Sequence, residues 1–296
     1  MGQTFRAGDA NQITREYLDS LLIELRYIDS VLPDTSLILY GEKFSTPVMT
    51  AAFSHLDKSH YDGMVEMAKG AYAVNACMWA GMGSDDELSR ITDTGAKTIK
   101  IIKPHADNDD ILHEMAHAEK CGCIALGMDV DHSFNRSGGY DIVDKLPMKG
   151  KSLDEIKGFV NATKLPFIIK GVLSVQDALK CVEAGIRGIV VSHHHGRIDF
   201  SVPPLMVLPE IVKAIDGRMP IFVDCSMDSG YDVFKALALG ANAASVSRLI
   251  IESMRKDGAD GVKKMLEDMT AQIAGLMVHT CSPDIGQIDS SVIRKR

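Results

Sequence analysis

The chain has 296 residues, 46% apolar and 24% charged, an ordinary globular composition long enough to bury a large core without disulfide or metal staples. Lys and Arg total 32 against 40 Asp and Glu, a net charge of −8, so no basic excess exists to meet nucleic acid or an anionic membrane surface. Six scattered cysteines without a CxxC pair, no apolar leader after Met1 and no run of about 18 apolar residues point to a soluble cytoplasmic protein with free thiols and no membrane span.

A helical segment is predicted around 12–25 and a hairpin over 36–46, and this N-terminal extension (1–46) is expected to plug the N-terminal end of the domain that follows. From residue 47, short β-branched apolar runs alternate with segments of helical period. Strands are predicted at 47–53, 74–79, 98–103, 124–130, 166–172, 188–193, 220–226 and 243–248, and helices at 59–73, 84–92, 108–122, 152–163, 174–185, 203–216 and 229–240, with a last one near 258–278. Ser84 and Ser152 each precede a Glu by three positions, the capping-box spacing, and Ser174 opens a helix with Asp177 in its first turn. Gly122, Gly185 and Gly240 sit where helices should end. Runs such as Phe167-Ile168-Ile169 and Ile189-Val190-Val191 are apolar on both faces, as buried parallel strands are. Eight strand–helix units without a composition break predict an α/β fold, a single (β/α)8 TIM barrel over 47–296. The doubly wound alternative would need a GxGxxG after the first strand, and Thr50-Ala51-Ala52-Phe53 offers none.

Active sites of such barrels form at the carboxyl ends of the strands, which narrows the search to eight short stretches. Strand 5 ends in Lys170, a cation pointing into the mouth or a salt-bridged strand-end residue. Strand 6 ends Ser192-His193-His194-His195-Gly196-Arg197. Consecutive strand residues face opposite ways, so the three histidines do not suggest one metal site, and no metal is expected. A single histidine base with Arg197 gripping a carboxylate is the sharper reading. Strand 4 ends Met128-Asp129-Val130-Asp131-His132, with Arg136 beyond, and Asp129 either orients an imidazole or caps a loop. Strands 7 and 8 end at Asp224-Cys225-Ser226 and Ser247-Arg248, where backbone amides and Arg248 could hold a phosphate while Asp228 would repel one.

The segments Lys170-Gly171-Val172-Leu173-Ser174-Val175-Gln176-Asp177-Ala178, Gly188-Ile189-Val190-Val191-Ser192 and Asp232-Val233-Phe234-Lys235-Ala236-Leu237-Ala238-Leu239-Gly240-Ala241 resemble the FMN-dependent α-hydroxy acid oxidases and dehydrogenases, the glycolate and lactate oxidase family. The likeness runs over nearly the whole chain and is strongest from 166 to 281. It implies FMN, with Lys170 at the N1/O2 edge of the flavin, Ser192 and Ala52 as flavin contacts, and Asp224, Ser226, Ser247 and Arg248 in the ribityl and phosphate region. It also implies His194 as catalytic base, Asp129 as its carboxylate partner, and Arg197 and Arg136 as grips for a small anionic substrate. A diffusible electron acceptor and a homo-oligomer follow from the same likeness. Departures stand at His193 for asparagine, Cys225-Ser226 for Gly-Gly, Asp228 for an arginine and Ser247 for a glycine. The family's strand 3 glutamine and tyrosine align with Lys100 and Ile102, its early tyrosine falls near Thr4, and its long loop is shortened to roughly 137–151.

Three functions are compatible with these residues. The first is an FMN-dependent oxidoreductase acting on a small α-hydroxy acid, with His194 taking the hydroxyl proton as hydride passes to the flavin. The second is a repurposed barrel that uses the same His and Arg for non-redox proton abstraction, as a lyase or isomerase, with FMN binding weakened or lost. The third is a non-catalytic subunit.

Overall fold

The computed structural model describes residues 6–296. Eight parallel strands form the central sheet: β1 (Val48–Thr50), β2 (Met78–Ala80), β3 (Thr98–Ile102), β4 (Ala125–Asp129), β5 (Phe167–Val172), β6 (Gly188–Val191), β7 (Ile221–Val223) and β8 (Ala243–Val246). Neighbours in the sheet are neighbours in sequence, and β8 pairs back onto β1. A Phe53–Ala80 bridge and the Thr50 N–H on the Cys77 carbonyl at 3.2 Å join β1 to β2 and complete the (β/α)8 barrel expected from the sequence.

The helices are α1 (Ala10–Ser20), α2 (Gly63–Ala73), α3 (Asp85–Asp93), α4 (Asn108–Lys120), α5 (Leu153–Asn161), α6 (Val175–Glu183), α7 (Pro204–Ile215), α8 (Gly230–Ala238) and α9 (Arg248–Val278). Their starts are set by the caps read from the sequence: Ser84 accepts from the Glu87 N–H, Ser174 from the Asp177 N–H, and Ser152 with Glu155 closes a full capping box. Helix α9 starts ten residues earlier than the predicted 258, directly at Arg248, and is broken by non-helical backbone at Asp257 and Gly258. Its first part is therefore a short extra helix on the strand 8 loop, a common place for anion sites in this architecture. Among the described residues no helix is long and apolar enough to cross a membrane.

Alternate residues of the strands face inward. Met49, Trp79, Ile99, Ile101, Ile168, Val190 and Phe222 fill the interior, with Trp79 edge-on to Phe222 at 5.5 Å between ring centroids. From below, the hairpin Leu37–Leu39 and Glu42–Phe44 inserts Leu37, Leu39 and Phe44 into this same cluster. The Tyr40 hydroxyl donates to the Arg187 carbonyl at 2.8 Å, just before β6 begins. The N-terminal helix behaves otherwise. Helix α1 is shorter than predicted and runs into strand Leu21–Ile23, which pairs with Ile293–Lys295 near the chain's end. Instead of joining the plug, α1 reaches the carboxyl rim: Thr14 Oγ1 and His193 Nε2 are 2.7 Å apart, and Asn11 Nδ2 donates to the His195 carbonyl at 2.8 Å.

Candidate active site

The strand periodicity that buries Ile99 and Ile101 continues upward and turns Lys103 into the mouth. Lys103 Nζ donates to Asp129 Oδ2 at 2.6 Å. Lys100 and Ile102 therefore do not face the cavity: Lys100 Nζ binds the Gly81 carbonyl at 2.6 Å and Glu114 on α4 at 3.3 Å, and Ile102 packs in the outer core. The two residues matched from the sequence to the family's glutamine and tyrosine thus point away from the mouth. Thr4, aligned with the early tyrosine, lies outside the described residues.

Lys170 is buried at the end of β5, 3.3 Å from Asp129 and 3.5 Å from Asp224. Burial alone would lower its pKa, but Asp129, Asp224 and Asp131 hold the ammonium charged, well above the usual lysine range. Burial likewise opposes ionisation of Asp129, and Lys170, His194 and Lys103 override it, keeping that carboxyl well below its usual range. Gly171 makes room for this cluster. It has φ +99° within a bulge of β5, and a Cβ there would stand 2.7 Å from Asp131 Oδ2.

The three consecutive histidines lie in a turn past the end of β6, not in the strand, and with positive φ at His194 (48°) and His195 (54°) they diverge. His193 turns to Thr14 and accepts the Gly196 N–H at 2.9 Å, and His195 Nε2 lies 3.1 Å from Ser247 Oγ. Only His194 enters the charged cluster. Its Nδ1 is 2.8 Å from Asp131, 3.2 Å from Lys170 and 3.4 Å from Asp129. The shortest carboxylate contact is thus Asp131 rather than Asp129, whose tightest partner is Lys103. Burial and Lys170 lower the His194 pKa, Asp129 and Asp131 raise it, and the net shift is upward from 6.5. Ser192 is buried under this turn and its Oγ accepts the His194 N–H at 3.0 Å, so it holds the histidine loop.

The shortened loop after β4 folds into a small hairpin, Ile142–Val143 with Leu146–Pro147, and carries Asp141 onto Arg197. Arg197 also donates to the Phe134 carbonyl at 2.8 Å, and its buried Nε has no partner among the described residues. Arg136 bonds the Gly196 carbonyl at 2.7 Å, lies 3.9 Å from Asp199 and keeps over half its side chain exposed, so it braces the β6 loop from outside. Asp129, Asp131, His132 and His194 place ligand-type atoms within 4.8 Å of one another, but two lysine ammonium groups already supply the positive charge at Asp129.

A cavity of about 90 Å³ lies at the mouth, lined among others by Ala51, Ala52, Trp79, Lys170, His194 and Ser247. Ordinary ligand pockets exceed roughly 300 Å³, so in this conformation it admits the edge of a flat ring. The donor chemistry fits a flavin: small residues at β1 and β8 uncover the apolar floor of Trp79, Val190 and Phe222, and the Lys170 cation stands beside it. At the strand 7 end, Cys225 and Ser226 both hold positive φ (69° and 57°), the backbone that a Gly-Gly pair adopts at low cost. Ser226 Oγ is buried there without a partner among the described residues. Arg248 approaches Asp228 at 3.3 Å and Arg15, from α1, at 4.0 Å, so Asp228 sits between two guanidinium groups where an anion would. Arg15 is anchored on both oxygens of Asp232, at 2.8 and 3.1 Å.

The profile of the FMN-dependent dehydrogenase family matches residues 5–151 and 136–295. The chain belongs to that family. As a member it is an FMN-dependent oxidoreductase. It is 31% identical to a peroxisomal (S)-2-hydroxyacid oxidase of Arabidopsis thaliana, over 88% of this chain and 81% of the relative. It is 29% identical to the glycolate oxidase of Spinacia oleracea, over 82% and 75%. Among solved structures, a mandelate oxidase variant with (S)-mandelic acid superposes with a TM-score of 0.89 at 26% identity, covering 98% of this chain and 90% of that one. The resemblance read from 166 to 281 is borne out, as are the barrel and the FMN dependence. Lys103, Asp141 and Arg15 escaped the sequence reading. The inward parity of Ile99 and Ile101 could have found Lys103; the other two have no local signal.

Proposed function

We propose that this chain oxidises a small α-hydroxy acid at the mouth of the barrel. A bound FMN would supply the hydride acceptor for the substrate's α-hydrogen. His194 takes the hydroxyl proton at Nε2, its Nδ1 side being held by Asp131 and Asp129. Lys170, a buried cation in the cavity wall, would stabilise the negative charge that a bound flavin gains on reduction. Arg197 binds the substrate carboxylate once Asp141 yields it, because an α-hydroxy acid brings the same charge and the same two-oxygen geometry. Arg15 and Arg248 would hold the phosphate in place of their contacts with Asp228. The observation that carries this reading is that Lys170 and His194 line one cavity over an apolar floor.

Turnover of a panel of 2-hydroxy acids with a dye or O2 as acceptor tests it. Because the base must be neutral and its pKa is raised, kcat/KM falls as pH drops through a value above 6.5. A rate flat across that range, or no turnover of any hydroxy acid by flavin-loaded protein, contradicts the reading. Free thiols at all six cysteines support a reducing compartment such as the cytosol. The exposed apolar residues Leu22, Leu25, Ile28 and Leu32 support a homo-oligomer.

A further inference from the structure

Arg197, read above as the grip for the substrate's carboxylate, already holds a carboxylate of its own chain. Among the described residues Asp141 is the one acid within 4.0 Å of it. The contact uses only one oxygen. Asp141 offers Oδ2 to Arg197, and that atom also lies 3.0 Å from His132 Nδ1, while Oδ1 accepts the Ile142 N–H at 3.0 Å. Arg197 Nη2 donates besides to the Phe134 carbonyl, and its buried Nε has no partner among the described residues. A guanidinium binds a free carboxylate best through two parallel hydrogen bonds, and Asp141 leaves the edge made by Nε and Nη2 half used.

Asp141 is carried by a segment anchored at both ends and exposed between them. Ser133 and Met148 are buried, and the Lys149 N–H donates to the Pro104 carbonyl at 2.9 Å. Tyr140 and Ile142 are more than half exposed. The turn at Asp144 and Lys145 reaches the loop after β1, where Asp144 lies 2.6 Å from His55. Two carboxylates therefore fasten this hairpin across the mouth. The Asp144–His55 pair is half exposed and weak, whereas Asp141 and Arg197 each keep under a fifth of the side chain exposed.

We propose that Asp141 is an internal competitor for the substrate's carboxylate: it fills the anion position on Arg197 until an α-hydroxy acid displaces it, so this one residue sets how tightly the chain binds its substrate. The proposal rests on Arg197 being the carboxylate grip. Burial opposes ionisation of Asp141, and His132, Arg197 and the Ile142 N–H override it, holding the carboxyl below its usual range. The competitor is thus charged at neutral pH. An incoming carboxylate exchanges one ion contact for another and adds the partner for Nε that Asp141 does not supply. A neutral ester or amide of the same acid brings no charge to the exchange, so the contact also selects for the free acid.

The test uses oxamate, a carboxylate beside a carbonyl that has no α-hydrogen to lose. Its binding is measured by calorimetry on flavin-free and FMN-loaded protein, with KM and kcat for a 2-hydroxy acid on the loaded enzyme, in wild type, Asp141→Asn, Asp144→Asn and Arg197→Gln. Asparagine can keep the Ile142 contact while removing the charge. Asp141→Asn binds oxamate about tenfold more tightly, the worth of one charge-assisted hydrogen bond, and the gain in turnover falls on KM rather than kcat. Asp144→Asn opens only the pair with His55 and leaves oxamate affinity where it was. Unchanged or weaker binding in Asp141→Asn overturns the proposal. So does an equal gain in Asp144→Asn, which would credit a loosened hairpin rather than a freed guanidinium. Arg197→Gln separates the two readings: lost oxamate binding there upholds the grip whatever Asp141 does, and unchanged binding removes the grip and the competitor with it.

Discussion

At the N-terminal end of the barrel, Leu37, Leu39 and Phe44 close an apolar interior over Met49, Trp79 and Phe222. At the carboxyl end, buried Lys103, Asp129 and Lys170 cluster with His194, and Ser226 Oγ and Arg197 Nε lie buried without partners among the described residues. The lower end buries apolar area at each contact, which stabilises folding. The upper end buries charge, which costs stability unless every group is paired, and it leaves some polar atoms unmatched. That contrast separates structure from chemistry: the unmatched end is the one poised to bind something.

The largest expected effect comes at the upper end. His194→Gln should cut kcat by about 10²- to 10⁴-fold, the usual worth of a general base, without lowering Tm; an unaffected kcat would remove the distinction between the two ends. Phe44→Ala is the converse, with about 3–5 kcal/mol of stability lost in chemical denaturation and flavin affinity unchanged for the folded fraction. Lys103→Met probes the charged cluster. It leaves buried Asp129 with Lys170 and His194 only and should cost about 3 kcal/mol, the low end for breaking a buried pair. The Asp129 pKa is depressed in the fold, so its contribution is full above about pH 4 and is lost as pH falls toward the folded value. Lys103→Met raises that folded value, and acid unfolding should begin at higher pH than in wild type. The smallest effect is expected for Asp228→Ala, which frees Arg248 and Arg15 from an internal carboxylate and should tighten FMN by several-fold, about 1 kcal/mol. Weaker binding there would mean that Asp228 organises the phosphate end rather than obstructing it.

The lower end was largely legible in the sequence, because strands with two apolar faces, capping serines and a short hairpin are local patterns. His194, Lys170 and Asp224 were legible from their places at strand ends together with the family likeness. Asp141 was not, because its meeting with Arg197 spans 56 residues and depends on how the shortened loop folds back. Arg15 reaches Asp232 across 217 residues from a helix that the periodicity placed at the opposite end. Lys103 was legible in principle: counting the pleat from Ile99 turns it inward, whereas a position-by-position match pointed to Lys100.

The most direct measurement is the visible spectrum of the protein titrated with FMN and then mixed anaerobically with a 2-hydroxy acid. The mouth described here should bind one FMN per chain, and the flavin band should bleach on addition of the acid in wild type but not in His194→Gln. Failure to bind FMN at micromolar concentration, or a bound flavin that no hydroxy acid reduces, would contradict the account.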